Sequence, residues 1–254
     1  MLLAWMGAIL IGLALGMLGS GGSILTVPIL VYLVGEPDKL AIAESLAIVG
    51  LIALVGAIPY GLKRQIDWMN VVWFGLPGMA GTYLGAYLSK WVPGAWQLGL
   101  FAVVMLVAAY MMFRPQPLVA EAKKRSHLKI VLDGLAVGIL TGLVGVGGGF
   151  LIVPALVLLG GLPMHLAVGT SLLVVAMKSA SGFYKYLHLL PEQGYQMHWD
   201  IVLLFATLGI VGSLFGGRIA ASLPQLTLRR GFAGFLVLMG FFILWQNLPK
   251  VLHG

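Results

Sequence analysis

The sequence predicts an all-α polytopic membrane protein built from two homologous repeats. Three observations lead there: an excess of apolar residues with few charges, eight apolar stretches of spanning length, and an internal match that covers most of the chain. Of 254 residues 60% are hydrophobic and 9% charged, against roughly 45–50% and 25% in ordinary soluble domains. A water-soluble fold of this size could not cover its core with so few charges, so its surface would be one continuous apolar patch. Fifteen Lys and Arg against eight Asp and Glu leave a net charge of +7, scattered over short loops and not gathered into the dense stripe of a nucleic-acid binder. With no cysteine there is no disulfide, thiolate nucleophile or thiolate metal site. The first cation is Lys39, so the N-terminal apolar stretch lacks the basic start of a cleavable signal and is expected to remain as a membrane segment.

The apolar stretches run at about 2–34, 40–62, 68–89, 96–113, 129–160, 163–187, 200–221 and 231–248, each long enough for about 30 Å of hydrocarbon. The first and fifth are too long for one span. Each holds a glycine cluster, Gly19 to Ser23 or Gly145 to Gly149, and then runs on to Pro28 or Pro154. Clustered glycine is unfavourable in a helix interior and proline prefers a first turn, so each is read as helix, break and second helix. The restarts are expected at about Ser23 to Thr26 and Gly149 to Ile152, giving about ten helices.

The two broken regions match without gaps at an offset of 126, from Gly12 against Gly138 through Pro28 against Pro154 to Ser45-Leu46 against Ser171-Leu172. Further on the offset is 131, pairing Trp68 with Trp199, Gly81 and Gly85 with Gly212 and Gly216, and Pro93 with Pro224. This divides the chain into a first repeat, 1–113, a charged linker, 114–128, and a second repeat, 129–254. Five crossings per half would invert the repeats; four would keep them parallel. With five, ten cations fall on the cytoplasmic side and Lys39, Lys90, Lys185 and Lys250 outside; with four the division is nine to five. The positive-inside rule thus favours inverted halves, with the linker in the cytoplasm.

Matching Gly- and Pro-broken membrane segments in two halves point to a transporter site near the midplane. Irregular backbone at that depth must be buried in protein or line a cavity, and the restarting helices would aim unpaired N–H groups into it, which suits an anion. The Gly-x-x-x-Gly pairs Gly12/Gly16, Gly81/Gly85, Gly138/Gly142 and Gly212/Gly216 are read instead as close-packing positions. A nucleotide-binding reading fails because no strand surrounds the glycines.

Gly-x-x-Gly-x-Gly-Gly-Gly-x-x-x-x-Pro in the second half, its looser copy in the first, and Ala167-Val168-Gly169-Thr170-Ser171-Leu172 resemble the sulfite exporter TauE/SafE family of membrane permeases. The resemblance spans essentially the whole chain. It implies transport, in the export direction, of small sulfur-containing oxyanions such as sulfite or sulfoacetate; an anion channel, or a permease for another small oxyanion, is the alternative. One departure is Glu44, which stands where the second half has Thr170.

The expected substrate-binding residues are Ser20, Gly21, Gly22, Ser23, Val146, Gly147, Gly148, Gly149, Thr170, Ser171 and Lys178, with Glu44 a candidate for proton coupling. Lys178 lies mid-span, where a cation is costly and usually serves a pathway. Asp133 is read as a helix-start carboxylate, His165 and His188 as interfacial, and Arg218 as an end-of-span cation that snorkels, although an Arg reaching toward an oxyanion would suit bidentate recognition. Trp5, Trp68, Trp91, Trp96, Trp199 and Trp245 fall at span ends as interfacial aromatics do. An intramembrane protease is disfavoured: there is no His-Glu-x-x-His, and Ser171 and Lys178 are seven residues, about two turns, apart. No cofactor or metal is expected. The expected partners are a small anionic substrate and membrane lipids but no nucleic acid, with a homodimer left open. The expected location is the bacterial inner membrane.

Overall fold

The computed structural model describes residues 2–19, 21–113, 127–144, 149–159, 161–192 and 194–252. Among them every regular element is helical, as an apolar chain that must satisfy its own backbone groups in lipid requires. Helix α1 (Leu2–Leu18) is followed by α2 (Gly21–Ile29), which continues as a π-helical turn, Leu30–Val34. Next come α3 (Asp38–Leu62) and α4 (Trp68–Asn70), which passes through a π turn, Val71–Gly75, into α5 (Leu76–Leu88). Then α6 (Gly94–Phe113) closes the first half. The second half holds α7 (His127–Val144), α8 (Gly149–Pro154) with a π turn, Ala155–Leu159, then α9 (Met164–Glu192), α10 (Trp199–Ser222) and α11 (Gln225–Leu252).

The first expected break is present, while that at 145–148 lies outside the described residues; two expectations for these segments are corrected. The first restart comes at Gly21, ahead of Ser23, and α8 is described from Gly149 onward. Neither Pro28 nor Pro154 opens its helix. Pro28 is the penultimate residue of α2 and Pro154 the last of α8, each followed by a π turn. A proline there removes an i→i−4 donor and its ring displaces the preceding turn, so a one-residue wider turn absorbs the distortion. The third π turn stands just before Pro77. Asp133 is also not at a helix start: α7 begins six residues earlier, at His127.

α1 and α2 form an antiparallel hairpin. A Cβ on Gly7 would stand 3.1 Å from Ile29 Cδ1, and one on Gly22 would overlap the Ile11 carbonyl, so α2 runs back along α1. α3 and α9 pack together at the centre and are the most buried of the long apolar spans. Around them α1 packs on α10, α5 on α7 and α6 on α11.

Glycine makes two of these crossings possible. A Cβ on Gly12 would overlap the Gly209 carbonyl, and one on Gly16 that of Ser213; on the other side Gly138 meets the carbonyl of Gly78, and Gly142 that of Thr82. The reciprocal contacts, Gly212 on Ile9, Gly216 on Leu13, Gly81 on Leu135 and Gly85 on Ile139, obey the same offsets of 126 and 131. The Gly-x-x-x-Gly pairs are therefore packing positions, letting backbones approach closely where lipid offers no hydrophobic drive. Each half's first helix packs on a helix of the other half. The outward faces carry the apolar residues that lipid would cover, and all six tryptophans noted at span ends are exposed.

Candidate functional site

The first break is fixed by Gly19. Its φ of +72° is a left-handed conformation that side chains rarely adopt, and a Cβ there would lie 2.5 Å from Ser171 Oγ. Ser171, on the central helix α9, places its hydroxyl 2.8 Å from Val168 O and 3.1 Å from Gly19 O. The second half thus holds the first half's break. Ser23 is buried just beyond it, and Thr26 Oγ1 donates to Gly22 O at 3.0 Å. Of the expected site residues, Gly21, Gly22, Ser23 and Ser171 come together here. Gly149 begins α8, which packs on α2, so the two restarted helices are neighbours. Ser20, Val146, Gly147 and Gly148 lie outside the described residues.

Thr170 has a different task. Its Oγ1 donates to Leu166 O at 2.7 Å and accepts the backbone N–H of Asp67 at 2.9 Å, which ties α9 to the turn before α4. Glu44 does the same in the other half: its Oε1 accepts the backbone N–H of His198 at 3.0 Å. His198 is the 131-offset partner of Asp67, so the departure noted in the sequence preserves an acceptor and adds a carboxylate. Lys178 is wholly buried, away from the break. Its ammonium sits 4.4 Å from the centre of the Phe74 ring and 3.5 Å from Gly134 O, between α5 and α7. Its chain lies against Gly78, where any Cβ would collide with it.

A cavity of about 410 Å³ opens at the C-terminal end of α3. It is lined by Pro59, Tyr60, Lys63, Gln65, His165 and Arg218, and among the described residues its lining includes no carboxylate. Ser213, also in the wall, has a buried hydroxyl with no hydrogen-bond partner among the described residues. Tyr60 joins the cavity to the break: its hydroxyl donates to Gly16 O at 3.1 Å, one turn before Gly19. Its ring, with the Gln65 carbonyl, stands against Gly169, beside Thr170 and Ser171. Three groups that carry or can take positive charge thus line a pocket of mixed polar and apolar walls beside the break, an arrangement suited to an anion. The sequence puts Arg218 at a span end, where it snorkels or reaches toward an oxyanion, and His165 at the interface, and gives Lys63 no role beyond a loop cation. A further signal is that Lys63, His165 and Arg218 fall on the same side in the five-crossing arrangement.

A profile described as sulfite exporter TauE/SafE matches residues 4–243. The chain belongs to that family. Among relatives of this TauE/SafE protein, one from Xylella fastidiosa (strain 9a5c), named "Probable membrane transporter protein", is 32% identical, covering 94% of this chain and 92% of its own. A protein of Methanocaldococcus jannaschii with the same description is 28% identical over 93% of this chain and 94% of its own. YdhB of Bacillus subtilis, similarly named, is 26% identical over 85% and 87%. No solved structure matches the chain. This member of the TauE/SafE family is an integral, multi-pass membrane protein.

Proposed function

We propose that this TauE/SafE protein is a transporter, not an enzyme, that exports small sulfur-containing oxyanions such as sulfite or organosulfonates. The observation that carries the anion is the cavity at the end of α3. It is lined by Lys63, His165 and Arg218 and, among the described residues, by no carboxylate, and is joined through Tyr60 to the turn before Gly19. The family supports the choice of sulfur. The backbone donors around Ser20 to Ser23 and Val146 to Phe150 would receive the anion from this vestibule, aided by the positive end of α2. Neutral N–H donors can solvate an oxyanion without the grip of several fixed cations. In this reading Lys178 adds positive potential deeper in the bundle. Export from a negative-inside cell gains about 2.3 kcal/mol per charge per 100 mV.

Two inverted halves fit this reading. In it the α1–α2 hairpin would supply the fifth crossing, and the swapped glycine contacts that recur at the sequence offsets support it. Flux into proteoliposomes of sulfite, sulfoacetate, sulfate, chloride and a neutral amino acid tests the substrate class, with Gly148→Val and Lys178→Gln as variants. Sulfite and sulfoacetate should move fastest, and both variants should be slow yet folded. Chloride or amino-acid rates equal to sulfite, or full transport by Gly148→Val, would overturn the site. Single-channel currents would replace the carrier by a channel.

A further inference from the structure

At the other end of α3, roughly 24 Å from Tyr60 by helical rise, three ionisable side chains from separate segments meet. Glu36 lies in the turn before α3, Glu44 in the second turn of α3, and His198 immediately before α10. His198 Nδ1 is 2.8 Å from Glu36 Oε1 and 3.8 Å from Glu44 Oε1. Glu44 is fully buried, Glu36 nearly so, and the imidazole half-exposed. Glu36, His198 and Asp200 are the titratable groups that act on Glu44; among the described residues α1, α2, α6, α9 and the Leu30–Val34 turn, which also pack on α3, add none.

The comparison between halves shows what is surplus here. In the other half a threonine hydroxyl, Thr170 Oγ1, accepts the matching backbone N–H, so the fold needs an acceptor at this place but not a charge. Glu44 meets that need with Oε1 alone. Its Oε2 is buried and has no hydrogen-bond partner among the described residues. An ionised carboxylate with one oxygen so placed is unfavourable, and a bound proton removes the difficulty. His198 touches water on one side and both carboxylates on the other, which is the position of a proton relay.

We propose that Glu44 is a proton-carrying site that couples anion movement to protons, loaded from the solvent through His198 with Glu36 holding the imidazole. The coupling rests on the anion-transport reading above. The step is a proton transfer only, made when the imidazole turns from Glu36 and closes the 3.8 Å between Nδ1 and Glu44 Oε1: an imidazolium N–H breaks, an O–H forms on Glu44, and the neutral imidazole takes its next proton from the solvent.

Two measurements test it. Infrared difference spectra of the reconstituted protein, recorded against pH, should contain a carboxylic-acid carbonyl band that is lost in Glu44→Gln and unchanged in Glu192→Gln, which alters a surface carboxylate. Transport is then followed with methanesulfonate, which stays ionised and, unlike sulfite, brings no proton of its own. A one-unit pH gradient should drive accumulation of up to about tenfold at one proton per anion. In Glu44→Thr, which copies the other half, accumulation should fall to the level without a gradient while methanesulfonate exchange persists. Absence of the band, or accumulation by Glu44→Thr equal to wild type, overturns the proposal. A wild-type protein that shows the band but moves no sulfonate or sulfite refutes the transport reading instead, and leaves the proton on Glu44 demonstrated.

Discussion

Replacing Gly12 by alanine should destabilise the bundle through one added methyl group. The Cβ would overlap the Gly209 carbonyl, which is backbone and cannot swing aside. To restore ordinary contact near 3.5 Å, α1 and α10 must part by on the order of an ångström. The crossing is tight at Gly12, Gly16, Gly212 and Gly216 together, so relief at one point loosens contacts along the whole seam. Overpacking of this kind costs about 1–3 kcal/mol. Alanine also returns up to about 1 kcal/mol of helix propensity, which must be separated from the packing effect. Gly234→Ala does so, because Gly234 lies in α11 with no atom near its missing side chain. The difference between the two variants is then the packing term, about 2 kcal/mol, or about a 30-fold change in the folded-to-unfolded ratio. Thermal or denaturant unfolding in micelles, followed by tryptophan fluorescence, measures it. Gly138→Ala, against the Gly78 carbonyl, should behave like Gly12→Ala. Equal stability of Gly12→Ala and Gly234→Ala would refute the close-crossing argument.

Arg218→Gln should raise the KM for sulfite about 10-fold or more, the loss of a charge-assisted contact, with a smaller rise for Lys63→Gln; unchanged KM in both would remove the cavity from the path. The Glu36 carboxylate hydrogen-bonded to His198 raises the imidazole above its ordinary value near 6.5. The contact therefore stabilises the folded protein fully below that value and is lost as pH rises through the raised one. An NMR titration should find the midpoint above 6.5 and Glu36→Gln should lower it. Labelling of single cysteines at Ser126 and Gly254 should place them on opposite sides of the membrane, and the same side for both would defeat the five-crossing arrangement.

The spans were legible because lipid imposes length and hydrophobicity on each one, and the observed helices follow the eight apolar stretches closely. The first break was legible in Gly19, whose left-handed φ needs glycine. Pro28 and Pro154 misled because a π turn accommodates proline late in a short helix, and no composition rule reveals that turn. The cavity was hidden for a different reason. Lys63 and Arg218 are 155 positions apart, and each alone reads as a span-end cation; only the packing of α10 on α3 brings them to one rim. Glu44 was visible as a mismatch with Thr170. Its meaning was not, because the shared partner is a backbone N–H, at Asp67 in one half and His198 in the other.

The crossed pairing of the halves sets a timetable for biosynthesis. When α7 leaves the ribosome, its partner α5 is already made. α1 has the opposite experience: α10 begins only at Trp199, roughly 180 residues after α1 ends, a delay of about 10–40 s at 5–20 residues per second. For that interval the glycine face of α1 has no mate. A nascent chain arrested before α10 should hold its first hairpin loosely, open to quality-control proteases or to the wrong helix, while α5 and α7 have already closed. Two seams of the same design would thus mature at different times, the earlier helix last.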